Sequence, residues 1–309
     1  MLNEIKGSSE APGYTREAIS SSLPKPTRRG ILRKLLYGGV AGTLSGAVYT
    51  FGIEPIWIQI IEKPMPIPGL PKPFDGFRLV QLSDPHFGSE VPYEYLSRCI
   101  LEANRLNPDL FVVTGDIVQH GQNQWNEAAA TLLSSLRARH GVLAVLGNHD
   151  WSSYALGRGI AWRADRVADA LRAKGIVVLR NEAIHIHRDG ADLHIVGLDD
   201  YWEDRFEPET AFSHVPPAEP CIALVHQPDA FPELLDTPAC WVLAGHTHGG
   251  QVNLPWYGPP LLPVRHKQFV AGHYQLSGKN LYINRGLGWL KRVRFNARPE
   301  ITEFTLRPE

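Results

Sequence analysis

The chain has 309 residues, with 31 lysines and arginines against 32 aspartates and glutamates. That balance excludes a global field drawing the protein to nucleic acid or an anionic surface. Three cysteines, too few and odd in number, exclude a disulfide framework, and the absence of a Cys-x-x-Cys pair excludes a zinc ribbon or redox dithiol. The length allows a short preamble and then one domain of roughly 250 residues with a sizeable core.

Residues 1–26 are polar, rich in serine and proline and without apolar period, and read as a disordered tail. Thr27-Arg28-Arg29 then precedes an uncharged run over residues 35–53. Paired arginines before such a run match a twin-arginine export signal, which makes the export machinery and the membrane expected partners. A run of about 19 residues just suffices to cross a bilayer, so residues 27–53 are expected to form a signal that stays as an anchor. Basic residues on its N-terminal side would leave the main domain on the outer face of the cytoplasmic membrane or in the periplasm. Ser45-Gly46-Ala47 offers a small-x-small cleavage site as the alternative. Six prolines between Pro55 and Pro73 predict an extended linker over residues 54–74.

From residue 75 to 309 the pattern predicts one α/β domain. Residues 77–82, 110–113 and 142–146 read as strands, separated by helical periods at 93–104 and 125–139; a helix at 163–174 and a strand at 176–178 follow. The second half is strand-rich, at 184–187, 193–198, 222–225, 241–244, 281–283 and 301–306. Strands with crossover helices, then mostly strands, predict a four-layer α-β-β-α sandwich of two mixed sheets flanked by helices. Ligands in such folds collect beyond the carboxyl ends of strands, and the informative residues fall there.

Leu82-Ser83-Asp84-Pro85-His86 places a carboxylate and an imidazole two residues apart, Thr114-Gly115-Asp116 adds a carboxylate, and Gly147-Asn148-His149-Asp150 adds an amide beside another imidazole. His226 follows a later strand, and Gly245-His246-Thr247-His248-Gly249-Gly250 supplies two imidazoles bracketed by glycines. Each residue alone is an ordinary turn former. The ordered set, each member after an apolar run, points to metal binding. Oxygen and nitrogen donors without thiolate suit manganese, iron or zinc. Seven donors (Asp84, His86, Asp116, Asn148, His226, His246 and His248) suit two divalent ions sharing a carboxylate, a pair that activates water and offsets phosphoryl charge.

Over roughly residues 75–306 these motifs, with His226-Gln227-Pro228-Asp229 and Asn284-Arg285-Gly286-Leu287-Gly288, resemble the calcineurin-like metallophosphoesterases, in particular a bacterial membrane-associated branch. The resemblance implies one metal on Asp84, His86, His248 and bridging Asp116, and a second on Asn148, His226, His246 and the same Asp116. It implies that a hydroxide bridging the ions attacks the phosphoester. It gives His149 a catalytic role, stabilising the transition state or protonating the leaving oxygen. Related phosphatases often carry an aspartate three residues after the bridging one to orient this histidine. Here that position is Gln119, which can still accept a hydrogen bond but brings no charge, so His149 is expected either to be less basic or to use Asp150 or another acid.

His185 and His187 share one face of a strand and are read as solvated, and His120, His140, His194, His214, His266 and His273 lack a motif. Asp199 and Asp200 read as solvated turn residues, with a place on the substrate side as the alternative, while Trp151, Trp202, Trp256 and Trp289 are candidates for a pocket floor, with simple packing as the alternative. The favoured function is hydrolysis of phosphodiester, pyrophosphate or lipid-linked phosphate bonds. The rivals are a metal-containing scaffold protein of the envelope, and a nuclease, which the balanced charge disfavours.

Overall fold

The computed structural model describes residues 27–119, 123–152 and 160–309; the expected tail and His120 lie outside them. The chain divides into two compact units between Ser45 and Gly46, and the second holds every described strand. Helix α1 (Arg28–Ala47) carries Arg28, Arg29, Arg33 and Lys34 in its first two turns and no buried residue. Among the described residues no helix is long and apolar enough to cross a membrane. The π-helical turn Val48–Ile53, expected as the end of the anchor, belongs to the second unit: the Thr50 carbonyl accepts from Arg294 N at 3.0 Å, and Tyr49 meets the Phe295 ring edge-on.

The largest departure concerns residues 54–74. They are extended, but as strand β1 (Gln59–Ile67), paired in parallel along its whole length with β12 (Glu300–Pro308). Proline lacks a ladder donor, and β1 is an edge strand, so Pro64 and Pro66 cost the sheet little. Met65, Ile67 and Phe74 are fully buried, which makes this segment part of the core.

Beyond β1 the order is β2 (Arg78–Leu82), α2 (Tyr93–Arg105), β3 (Leu110–Thr114), α3 (Asn123–Leu133), β4 (Val142–Val145), α4 (Ala161–Ala173) and β5 (Val177–Val178). The first sheet runs β1-β12-β2-β3-β4-β5, parallel except where β12 meets β2. The second contains β6 (Glu182–Arg188), β7 (Ala191–Gly197), β8 (Cys221–Leu224), β9 (Trp241–Ala244), β10 (Gly272–Leu276) and β11 (Lys279–Ile283), with a short helix α5 (Pro208–Phe212) before β8. Its order is β10-β11-β9-β8-β7-β6, parallel in the centre with an antiparallel pair at each end. Strand β10 and helix α5 carry too little apolar pattern to have been predicted; β10 is mostly exposed.

Alternation along the strands builds the layers. In β2, Val80 and Leu82 face α2, α3 and α4, while Leu79 joins Phe304, Ile222, Leu224 and Leu243 between the sheets. Helix α2 supplies Leu96, Cys99, Ile100 and Ala103 at intervals of three and four, one stripe onto the sheet. On the far side of the second sheet, α5 and a 3₁₀ stretch, Pro228–Leu234, cover Val225, Val242 and Ile283. The result is the expected α-β-β-α sandwich of two mixed sheets.

If β1 is core rather than linker, Met65→Ala should lower the unfolding free energy by about 2–5 kcal/mol in denaturant melts. A change of a few tenths would restore the linker reading.

Candidate metal centre

The loops after β2, β3 and β4 and those after β8 and β9 leave the same end of the sandwich and continue the pairing of their strands. Asp84 N donates to Gly115 O and His86 N to Asp116 O, each at 3.0 Å; Gly245 N donates to His226 O, also at 3.0 Å. Gln81, fully buried, ties the two sheets together beneath the site, its Nε2 reaching Thr114 Oγ1 at 3.0 Å and Ala244 O at 2.9 Å. Across the sheets, His246 N donates to the Asp84 carboxylate at 3.1–3.2 Å.

This scaffold gathers the donors into two groups. Asp84, His86 and His248 form one: His86 Nε2 and His248 Nε2 stand 3.0 Å apart, and Asp84 Oδ1 lies 3.4 Å from the latter and 3.9 Å from the former. Asp116, His226 and His246 form the other, with His226 Nε2 3.1 Å from Asp116 Oδ2 and 3.2 Å from His246 Nδ1. Two ligands on a cation at bonds of about 2.1 Å lie about 3.0–3.4 Å apart. Four of these five separations fall in that range and the fifth, Asp84 to His86 at 3.9 Å, is wider, so the residues present fit a pair of divalent ions. Asp116 Oδ2 is also 3.5 Å from His86 Nε2 and so reaches both groups. Asn148, buried, lines the same cleft as Asp116 and His149.

Close packing holds the loops in place. Any Cβ on Gly147 would sit 2.3 Å from Asp116 Oδ1, and one on Gly245 would sit 1.9 Å from Ser83 Oγ. Asp84, His86, Asp116, His246 and His248 all have positive φ, between 46° and 72°. Such backbone is uncommon outside glycine and concentrates at functional sites.

Protonation follows from burial and neighbours. Burial holds His86 and His248 well below the usual imidazole range, helped by nearby imidazoles and the Arg294 cation, and it drives His246 down to about 3. These rings are neutral, as ligands must be. Burial, with Asp116 beside it, raises Asp84 to about 6. For Asp116 and His226 burial opposes the charged forms, but their contact wins: the carboxyl is held well below its usual range and the imidazole is raised to about 10. The second nitrogens are fixed by carbonyls, His226 Nδ1–H donating to Thr114 O at 2.7 Å and His246 Nε2–H to Pro263 O at 2.8 Å.

The expected acid beside His149 is replaced by a main-chain oxygen. His149 Nδ1–H donates to the Gln119 carbonyl at 2.7 Å, and His149 N donates to Asp116 Oδ1 at 2.9 Å. Asp150 is not its partner, because that carboxylate accepts from the amides of Ile117, Val118 and Gly147. It staples the β3 and β4 loops together, and burial beside Asp116 raises it to about 7.

Several residues the sequence did not single out support the site. Arg294, fully buried 46 positions beyond His248, donates to the carbonyls of Arg285, Gly286, Gly288 and Ala297, and its Nη2 approaches His248 Nδ1 to 3.5 Å. The backbone it grips in turn braces the first metal loop, with Leu287 N on Ser83 O and Gly288 N on Asp84 O. Asp229 accepts from Arg265 N and His266 N and so secures the loop that presents Pro263 O to His246. Asp199 and Asp200 are buried rather than solvated: Asp199 pairs with Arg180 at 2.7 Å, and Asp200 accepts from Gln227 Nε2 and Trp202 N. Of the four tryptophans only Trp202 reaches the site, edge-on to His246 with ring centroids 4.6 Å apart. Trp151 and Trp289 are core, and Trp256 is fully exposed. Among the described residues none of the set-aside histidines lines the cleft, and His185 and His187 are exposed.

The cleft above the two groups encloses about 860 Å³. Asp116, Asn148, His149, His246 and His248 form its polar floor; Trp202, Val252, Leu261, Leu262, Leu290 and Val293 line an apolar wall.

Comparison with known proteins agrees with this geometry. The chain is 36% identical over 292 residues to the uncharacterized metallophosphoesterase YkuE of Bacillus subtilis, spanning 92% of this chain and 99% of that protein. It is 31% identical over 269 residues to phosphodiesterase YaeI of Escherichia coli, spanning 85% and 94%. With the UDP-2,3-diacylglucosamine pyrophosphatase LpxG of Chlamydia trachomatis it shares 32% identity over 280 residues, spanning 75% and 85%. The calcineurin-like phosphoesterase profile matches residues 77–250, from the first residues before β2 to the last glycine of the His246–His248 loop. The chain belongs to the calcineurin-like metallophosphoesterase family.

Proposed function

We propose that this metallophosphoesterase cleaves phosphodiester, pyrophosphate or lipid-linked phosphoester bonds with a dinuclear centre, and that it works after twin-arginine export, free in the periplasm or held at the outer face of the cytoplasmic membrane. One observation carries the dinuclear reading: Asp116 Oδ2 stands within 3.5 Å of imidazoles from both donor groups. Asp84, His86 and His248 would hold one ion, Asn148, His226 and His246 the other, and Asp116 both. Manganese, iron or zinc suits such donors. A bound pair lowers the pKa of water and offsets the charge of a phosphoryl group.

The chain's own residues supply the rest. His149, whose Nδ1–H is held by the Gln119 carbonyl and whose ring meets that of His86 edge-on at 4.8 Å, would be the residue that protonates the leaving oxygen. The apolar wall suits a substrate with a greasy or ring-bearing substituent next to its phosphate. Relatives named a phosphodiesterase and a pyrophosphatase of a diacylated sugar nucleotide support that class. The address rests on the paired arginines and the uncharged run that follows them.

Asp116→Asn should lose at least one metal ion per chain in elemental analysis and reduce bis-p-nitrophenyl phosphate turnover by about a hundredfold or more. Full metal content with full activity would remove the shared-oxygen assignment, and wild-type protein loaded with metal yet inert toward monoesters, diesters and lipid pyrophosphates would favour the scaffold reading. Because a backbone carbonyl orients His149, Gln119→Asp should leave the pH profile of turnover unchanged; an altered profile would show that the side chain at this position governs the imidazole.

A further inference from the structure

Between Asp236 and Glu300 the chain carries no acidic residue and eight cations, although its overall charge is −1. This segment includes the apolar wall of the cleft apart from Trp202. Its most prominent feature is a closed turn, with Leu254 N donating to Gly258 O at 3.0 Å and Gly258 N to Leu254 O at 2.8 Å. The turn lifts Trp256 wholly into solvent, with Tyr257 76% and Leu254 39% exposed. Leu261, 82% exposed, and Leu290, 39% exposed, continue the apolar surface into the cleft that both of them line. Arg265, Lys267, Lys291 and Arg292 are exposed beside these residues in sequence; Lys291 lines the cleft itself and pairs with Glu90 at 3.5 Å.

Trp256 is doubly out of place for folding. It buries nothing, and its φ of +64° is a conformation that a bulky side chain adopts at a cost. Asparagine or glycine would serve the turn better, so the fold gives no reason for tryptophan there. An exposed indole and phenol on a hydrogen-bonded turn, exposed aliphatic side chains and cations close in sequence match what sits at a lipid–water interface.

We propose that the Leu254–Gly258 turn, with Leu261 and Leu290, is a lipid-docking surface that seats the mouth of the cleft on an anionic bilayer. The site then draws an amphiphilic phosphoester sideways from the membrane, an inference that rests on the phosphohydrolase reading for the cleft's purpose. Two other occupants fit less well. A second copy of the chain docked through the same patch would set its cations against their equals. A nucleic acid would find cations and, in Trp256 and Tyr257, rings to stack on, but it would leave the aliphatic Leu254, Leu261 and Leu290 without an apolar partner.

The test uses the full chain and vesicles of equal parts phosphatidylethanolamine and phosphatidylglycerol, some carrying brominated acyl chains. Residues 1–53 contain no tryptophan, so quenching by bromine reports on the second unit alone. Wild-type fluorescence should be quenched, and Trp256→Asn, whose new side chain tolerates the positive φ, should lose most of that quenching. Trp256→Asn with Tyr257→Ser should bind these vesicles about tenfold more weakly. Turnover of soluble bis-p-nitrophenyl phosphate and the melting temperature should stay at or above wild-type values. Equal quenching in wild type and Trp256→Asn would overturn the proposal. So would a change of oligomeric state on substitution without vesicle binding, or Trp256-dependent binding of a single-stranded oligonucleotide in place of vesicles. Loss of soluble turnover in the wild type would instead count against the enzymatic reading and leave the quenching result to decide docking.

Discussion

Asp116 Oδ2 stands between an imidazole delivered by the first sheet, His86, and one delivered by the second, His226. Its position is set by the packing of two sheets rather than by any local turn, and much of the molecule serves to fix it. Gln81 ties the sheets below it, Asp150 staples the loops beside it, and the His246 amide clasps Asp84 across the gap. Two buried carboxylates and four buried imidazoles are costly to assemble, and the strained backbone at five of these residues adds to that cost. Bound cations would return part of that free energy, which couples the integrity of the site to its loading.

The supporting residues form a connected layer. Asp229, three positions after His226, secures the loop whose Pro263 carbonyl sets the tautomer of His246. That same loop supplies Leu261 and Leu262 to the cleft wall. Asp200 binds Gln227, next to His226, and the amide of Trp202, which faces His246. The wall that would receive substrate is therefore built on the residues that hold the second donor group, and displacement of one is felt by the other.

The layered fold and the cluster of donors were legible because each motif follows directly on an apolar run, so a strand period and a strand end could be read together. What escaped the sequence has physical reasons. Prolines disguised β1, since a composition that breaks helices suits both a linker and an edge strand. Asp200 looked like a turn residue because burial depends on what the fold lays over it. Arg294 lies 46 residues from the histidine it approaches, in a stretch with no motif, and only the tertiary structure brings them together. The partner of His149 was sought among acids and proved to be a peptide carbonyl, a group every residue possesses and no pattern can flag.

Strand β1 has a consequence for biogenesis. Among the described residues its only neighbour in the sheet is β12, so residue 59 waits for residue 300 before its backbone is satisfied. The first and last strands of the domain zip together, and a chain still missing its final strand leaves β2 as well as β1 without a partner on that side. Closure of this sheet is thus a long-range event that joins strands about 240 residues apart, and until β12 is in place β1 and β2 keep open edges of the kind that aggregate.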